Sequence, residues 1–242
     1  MSKFYTSVER YGQNILWRGY ENGKQFSKKV KFQPTLFTNG KKDVTDTKYR
    51  SLATDKPLVP HQLDGMKEGK DFVERYKDVH GLEIAGNTNY VSQFIQEKYP
   101  DEIKFDASLI NIVSFDIEVD IANGYPNVNE ADKEITSIAY KSSKSADYHL
   151  LGRKDYDKSK TLLDLHPDNI HFMKFDSEEA LLKRFKELWV NRYPDIITGW
   201  NVEYFDIKYI IARMIRLFGE EWVKDLSPWR NVRPKEREMF GK

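Results

Sequence analysis

The sequence contains no cysteine. Disulfides and thiolate zinc sites are excluded, and a reducing compartment fits. Its five histidines, His61, His80, His149, His166 and His171, include no pair at the i, i+4 spacing of a zinc-binding helix. The opening Met1-Ser2-Lys3-Phe4-Tyr5 lacks the apolar centre of a secretory signal, and no run approaches the ~18 apolar residues of a membrane span. The expectation is a soluble intracellular protein with no membrane contact. Repeats and low-complexity tracts are absent. So is any overall excess of one charge: 39 Lys/Arg stand against 38 Asp/Glu, and the net charge is +1.

What is present suffices for a folded core. The chain has 242 residues, 39% hydrophobic and 14% aromatic, enough for one large domain or two modest ones. Charge is unevenly placed. Residues 1–50 hold eleven Lys/Arg and four Asp/Glu. That excess suits a polyanionic partner, and it equally suits a solvated basic face.

The first third has the pattern of strands, over 4–10, 15–20, 26–32 and 35–38. Asn22-Gly23 is a strong hairpin signal between the second and third. Residues 39–66 are polar with scattered Pro and Gly, and predict a loop-rich connection. Helices are predicted over 70–80, stopped by Gly81, and over 91–98. An α+β N-terminal domain over 1–108 follows. In residues 109–242 the spacing predicts strands over 109–120, 133–141, 148–151 and 170–175. A helix begins at Asp176-Ser177-Glu178-Glu179, with an acidic first turn suited to the helix dipole. A short strand over 195–200 and a helix over 206–218 complete the order. Strands, helix, strand, helix is the topology expected of a ribonuclease H-like core with a mixed sheet.

The most informative stretch is Ser114-Phe115-Asp116-Ile117-Glu118-Val119. Strand side chains alternate with period two, so Asp116 and Glu118 share one face while Phe115, Ile117 and Val119 take the core face. Adjacent carboxylates repel unless something positive lies between them, and a divalent metal is the simplest candidate. Asp206 falls where the last helix begins and would project beside that strand. Asp116, Glu118 and Asp206 would then hold one or two Mg²⁺, which suits phosphodiester chemistry. Taken singly, each residue has an ordinary meaning. Asp-x-Glu suits a solvated strand end, Asp206 a helix dipole, Asn201 a turn or cap, and Phe205 a core. Their order and context together point to a site.

At these residues the chain resembles the family B DNA polymerases of T-even-type bacteriophages. Phe-Asp-Ile-Glu-Val (115–119) is similar to that family's first exonuclease motif, and Gly-Trp-Asn-Val-Glu-Tyr-Phe-Asp-Ile-Lys-Tyr (199–209) to its second. Gly124-Tyr125-Pro126, Leu226-Ser227-Pro228, the Phe4–Glu9 strand and Pro34-Thr35-Leu36-Phe37 extend the likeness. The resemblance implies a 3′→5′ proofreading exonuclease that releases 5′-monophosphates. Asp116, Glu118 and Asp206 would hold two Mg²⁺, with Mn²⁺ able to substitute, and Asn201 and Phe205 would contact the terminal nucleotides of a frayed strand. It implies as partners a single-stranded DNA 3′ end on a primer-template, and the remaining polymerase segment in cis or in trans. RNA contact by the N-terminal domain is compatible with its basic excess. The implied setting is the cytoplasm of an infected bacterium.

The family's third motif, Tyr-x-x-x-Asp, has no match. Asp225 is the only later Asp, and Glu221 stands four residues before it. The expectation is an incomplete exonuclease domain without polymerase domains, ending within an inserted hairpin and weak or inactive alone. The alternative is a non-catalytic DNA- or RNA-binding module of the same fold, or one half of a split polymerase.

Overall fold

A computed structural model describes residues 3–39, 48–122, 124–160 and 167–232. The expected hairpin over 230–242 lies almost wholly outside them, as does part of the 39–66 connection. The chain divides into two units, Met1–Asp106 and Ala107–Lys242. Among the described residues no helix is long and apolar enough to cross a membrane.

The first unit holds two three-stranded sheets. In one, β1 (Lys3–Tyr11), β2 (Asn14–Glu21) and β3 (Lys24–Lys31) form an antiparallel meander with β2 central. Its second turn is made by Asn22 and Gly23, both at positive φ (53° and 76°), the geometry for which an Asn-Gly pair is selected. Six consecutive residues of β2, Ile15 to Tyr20, are buried. Gly19 lies so close to β1 that a Cβ there would meet the Phe4 carbonyl oxygen at 2.1 Å. Lys24, Lys28, Lys29 and Lys31 are exposed along β3, an edge strand, where charge discourages pairing with other chains.

The other sheet, ordered β5-β4-β6, joins β4 (Thr35–Asn39), β5 (Leu58–Gln62) and β6 (Ile84–Ala85). β5 lies inside the predicted loop. Its Pro60 speaks against a central strand, but β5 is an edge, where a missing N–H is tolerated. Helix α1 (Met66–Tyr76) starts four residues before the predicted start and ends before the predicted end. Gly69 breaks its helical signature, and the structure supplies the reason for a glycine. A Cβ at Gly69 would lie 2.4 Å from the Tyr90 hydroxyl. Helix α2 (Tyr90–Lys98) is capped by Asn89, whose side chain accepts from the Ser92 amide. Ile15, Trp17, Phe32, Met66, Tyr90 and Phe94 form the core of this unit.

The second unit is built on a mixed five-stranded sheet. Strands β7 (Ile112–Val119), β8 (Ile135–Ser142) and β9 (Tyr148–Gly152) form an antiparallel meander. β10 (Ile170–Lys174) adds in parallel to β9, and β11 (Ile196–Thr198) in parallel to β7. β7 therefore lies between β8 and β11, and β11 is an edge. Along β7, Val113, Phe115 and Ile117 are buried while Ser114, Asp116 and Glu118 are exposed, the alternation expected of a strand with one covered face. Phe115 meets Phe185 and Trp189 of helix α3 (Glu178–Asn191), with ring centroids 5.7 and 6.0 Å apart. Helix α4 (Asp206–Phe218) occupies the predicted span, and a short α5 (Glu220–Val223) follows.

Asn111, fully buried at the entry to β7, anchors β11. Its amide donates to Asp195 Oδ2 (2.9 Å), and its carbonyl accepts from the amides of Asp195 and Ile196. Its side chain donates to the carbonyls of Arg192 and Tyr193 and accepts from Ser142.

Candidate active site

β11 pairs with β7 only as far as Ser114, opposite Thr198. Beyond that point the β7 backbone groups need other partners. Gly199 approaches first, so closely that a Cβ on it would lie 2.6 Å from the Phe115 carbonyl oxygen. The chain then coils tightly. The Asn201 carbonyl accepts from the amides of both Tyr204 and Phe205 at 3.0 Å, and the Val202 carbonyl accepts from Ile207. Asn201 holds a left-handed φ of 54°, a conformation that Asn tolerates better than most residues. This coil turns Asp206, the first residue of α4, back onto β7. Asp206 Oδ1 accepts from the buried Ile117 amide at 3.1 Å.

Asp206 is 3% exposed and sits at the positive end of the α4 dipole. Burial raises its pKa above the ordinary carboxylate value. The Ile117 hydrogen bond opposes that rise, and the nearby Asp116 charge adds to it. Asp116 and Glu118 stand on the exposed face of β7, and among the described residues neither carboxylate has a hydrogen-bond or ion-pair partner. The structure thus brings Asp206 against the peptide between Asp116 and Glu118. It does not gather the three acids tightly: among the described residues no group of three or more acids or histidines is disposed to hold a metal. The donors are nonetheless all hard carboxylate oxygens, the type that suits Mg²⁺ or Mn²⁺. The repulsion that Asp116 exerts on Asp206 is also of the kind a cation relieves.

The two residues expected to contact a nucleic-acid strand are placed differently. Asn201 is exposed at the turn. Phe205 is half-buried, its ring stacked on Tyr209 with centroids 5.4 Å apart. The strongly exposed aromatics in and after the two motifs along the chain are others: Trp200 (91%), Tyr204 (65%) and Tyr125 (93%). Trp200 and Tyr204 lie inside the second motif and could have been singled out from the absence of any helical or strand period there.

A second acid-bearing arrangement escaped the sequence reading. Glu178, read as an acid near a helix dipole, is buried and paired with the buried Arg213 of α4 at 2.6 Å. Partners 35 residues apart leave no local spacing signature.

The model of the DNA polymerase family B exonuclease domain matches residues 86–239. The chain belongs to the family B DNA polymerases. Both motifs that carried the sequence resemblance fall within the match. The DNA-directed DNA polymerase of Enterobacteria phage T4 is 30% identical over 261 residues, covering 100% of this chain and 28% of that protein. That of Escherichia phage RB69 is 31% identical over 261 residues, covering 100% of this chain and 29% of that protein. The DNA polymerase catalytic subunit of Human herpesvirus 8 type P (isolate GK18) is 31% identical over 111 residues, 44% of this chain and 10% of that protein. The chain spans less than a third of the length of the phage polymerases it matches. Within the family B architecture it contains exonuclease-domain sequence, and the described acids lie in that part.

Proposed function

We propose that this chain carries the 3′→5′ proofreading site of a phage replicative DNA polymerase, with Asp116, Glu118 and Asp206 as its acidic set. One observation supports it above others: α4 begins with a buried acid whose carboxylate binds the peptide between two exposed acids of β7. We read the five-stranded sheet as ribonuclease H-like, since an antiparallel meander with a parallel strand beside its first member has that topology.

In this reading the three carboxylates hold Mg²⁺, or Mn²⁺ in its place. When bound, the metal supplies a polarised water and charge stabilisation at the phosphate. The chain's own residues do the rest. Asp206, kept from water, presents charge where a cation is most strongly attracted. Asp116 and Glu118, on the open face, complete the oxygen set. Asn201 and Phe205 contact the terminal nucleotides of a frayed DNA 3′ end, an aromatic suiting that task because every base offers a face for stacking. The primer-template and the remainder of a polymerase, in cis or in trans, are the partners, in the cytoplasm of an infected bacterium.

Metal titration tests the reading. The chain should bind Mn²⁺, and Asp116→Ala combined with Asp206→Ala should abolish the binding. Mn²⁺ affinity unchanged in that double variant would sink it. A second reading, nucleic-acid binding without hydrolysis, draws on the first unit. There Lys28 lies over the Trp17 and Phe26 rings (5.4 and 5.0 Å) and Lys29 over Tyr11 (5.2 Å) on a lysine-lined strand. Retained binding of single-stranded DNA or RNA by the double variant would favour it.

A further inference from the structure

Helix α4 is held at both ends of one face. Asp206, Tyr209, Ile210 and Arg213 are buried, at the i, i+3, i+4, i+7 spacing of a single side. At the first end Asp206 grips the Ile117 amide. Two turns on, every nitrogen of the Arg213 guanidinium is bonded. Its Nε lies 2.9 and 3.1 Å from the two Glu178 carboxylate oxygens, its Nη2 donates to Oε2 at 2.6 Å, and its Nη1 donates to the Ala131 carbonyl at 3.0 Å. Glu178 Oε1 also accepts from the Ile135 amide at 2.8 Å. Between the two ends, the Tyr209 hydroxyl accepts from the Lys133 amide and donates to the Lys133 carbonyl.

This arrangement fixes residues 131, 133 and 135 in succession. The strip leads directly into β8, where Ile135 faces Val119 and Ser137 faces Glu118, with the register slipping between Glu118 and Val119. The Thr136 hydroxyl donates to the Glu118 carbonyl at 3.1 Å. The helix that delivers Asp206 therefore also holds the strand end that carries Glu118. Ala131 is 1% exposed at φ 43°, a left-handed conformation disfavoured for a residue with a Cβ. Its carbonyl is the one Arg213 captures. An apolar pair would fill this space without desolvating two charges. It would not aim several hydrogen bonds at fixed points of two elements.

We propose that Arg213 is a positioning residue for the acid site: through Glu178 and the Ala131 carbonyl it sets where α4 places Asp206 relative to Glu118. The proposal rests on the reading of those acids given above, but its decisive measurement does not require metal. Lysine keeps the charge and loses the planar fork, so Arg213→Lys in the full chain is the variant of choice, with folding checked by circular dichroism.

The Ile117 amide reports the Asp206 contact directly by ¹H–¹⁵N NMR. Asp206→Ala should shift it and speed its hydrogen exchange. Arg213→Lys should move it in the same direction, leaving the Leu151 amide of β9 in place. Combined with Asp206→Ala, Arg213→Lys should move Ile117 no further while lowering Tm further. Mn²⁺ affinity should fall about tenfold in Arg213→Lys, as when a group that orients metal ligands is lost. An Ile117 amide unmoved in a folded Arg213→Lys chain overturns the proposal, as does a shift that adds fully to that of Asp206→Ala. If Arg213→Lys does not fold, Glu178→Gln, of the same shape, carries the same measurements. A wild-type chain that binds no Mn²⁺ would remove the metal reading, and the Ile117 amide would still decide the role of Arg213.

Discussion

Glu178 and Asp206 are both acids at the first position of a helix, and both are buried, at 6% and 3% exposure. Their surroundings are opposite. Glu178 faces a guanidinium that meets both its oxygens and holds the Arg213 pKa above its ordinary value. Burial pushes the pKa of Asp206 up, the backbone amides of Ile117 and of Asp206 itself oppose the rise, and another acid, Asp116, adds to it. A buried charge with its complement in place joins elements. A buried charge without one is an expense the fold does not need, and such groups concentrate where chemistry is done. The same helix, α4, bears one end of each arrangement.

The largest expected effect breaks the satisfied pair. Glu178→Ala leaves Arg213 buried without its counter-charge and should cost about 3–5 kcal/mol in urea denaturation. A loss below about 1 kcal/mol would show that the guanidinium finds water, and the contrast with Asp206 would collapse. Relieving the unsatisfied acid should do the reverse. Asp206→Asn keeps the acceptor for Ile117 and removes the charge, so the metal-free chain should gain about 1 kcal/mol at neutral pH while losing Mn²⁺ binding. The pH dependence follows from the raised pKa of Asp206. In the metal-free fold this group binds its proton more tightly than in the unfolded chain. Its cost is therefore fully present above the folded pKa and is relieved as pH falls toward the ordinary value of 3.8. Asp206→Asn should remove that acid-side relief, seen as a flatter stability profile over that window.

His149 lies between these two extremes, partly buried and flanked by charges of both signs. Burial first, and then the neighbouring His171, lower the pKa of His149, with Arg184 and Lys141 acting in the same direction and Asp147 opposing. The fold thus favours neutral His149. Its contribution is complete above pH 6.5 and is lost as pH falls through the depressed folded value. His149→Gln should reduce this slope by no more than about 0.5 kcal/mol after solvent screening, measured as Tm between pH 7 and pH 5. An unchanged slope would locate the acid sensitivity elsewhere.

The acids themselves were legible because each lies on an element with a clean local period: β7 alternates, and α4 has the 3.6-residue stripe of Ile207, Ile210, Ile211, Met214 and Phe218. The strand β5 was hidden by Pro60 and the start of α1 by Gly69, residues whose usual meaning is reversed by an edge position and by the Tyr90 hydroxyl. Asn201 has the composition of a cap, yet α4 begins without a side-chain cap and Asn201 serves the turn through its backbone. The Glu178–Arg213 pair joins segments that only the tertiary fold brings together. So do the contacts of Asn111. The order of elements placed Asp206 beside β7, and only its particular bond to the Ile117 amide lay beyond what spacing encodes.

The bare Cα of Gly199 has a consequence for variation at this position. Thr198 and Trp200 on either side are exposed and leave room for substitution. Gly199 has none, because its nearest obstacle is the main chain of Phe115 rather than a side chain able to rotate away. Every missense change at that codon must pry β11 from β7 one residue before Asp116. Gly199 opens the second motif and abuts the main chain of the first, so this one position ties the placement of the two motifs together.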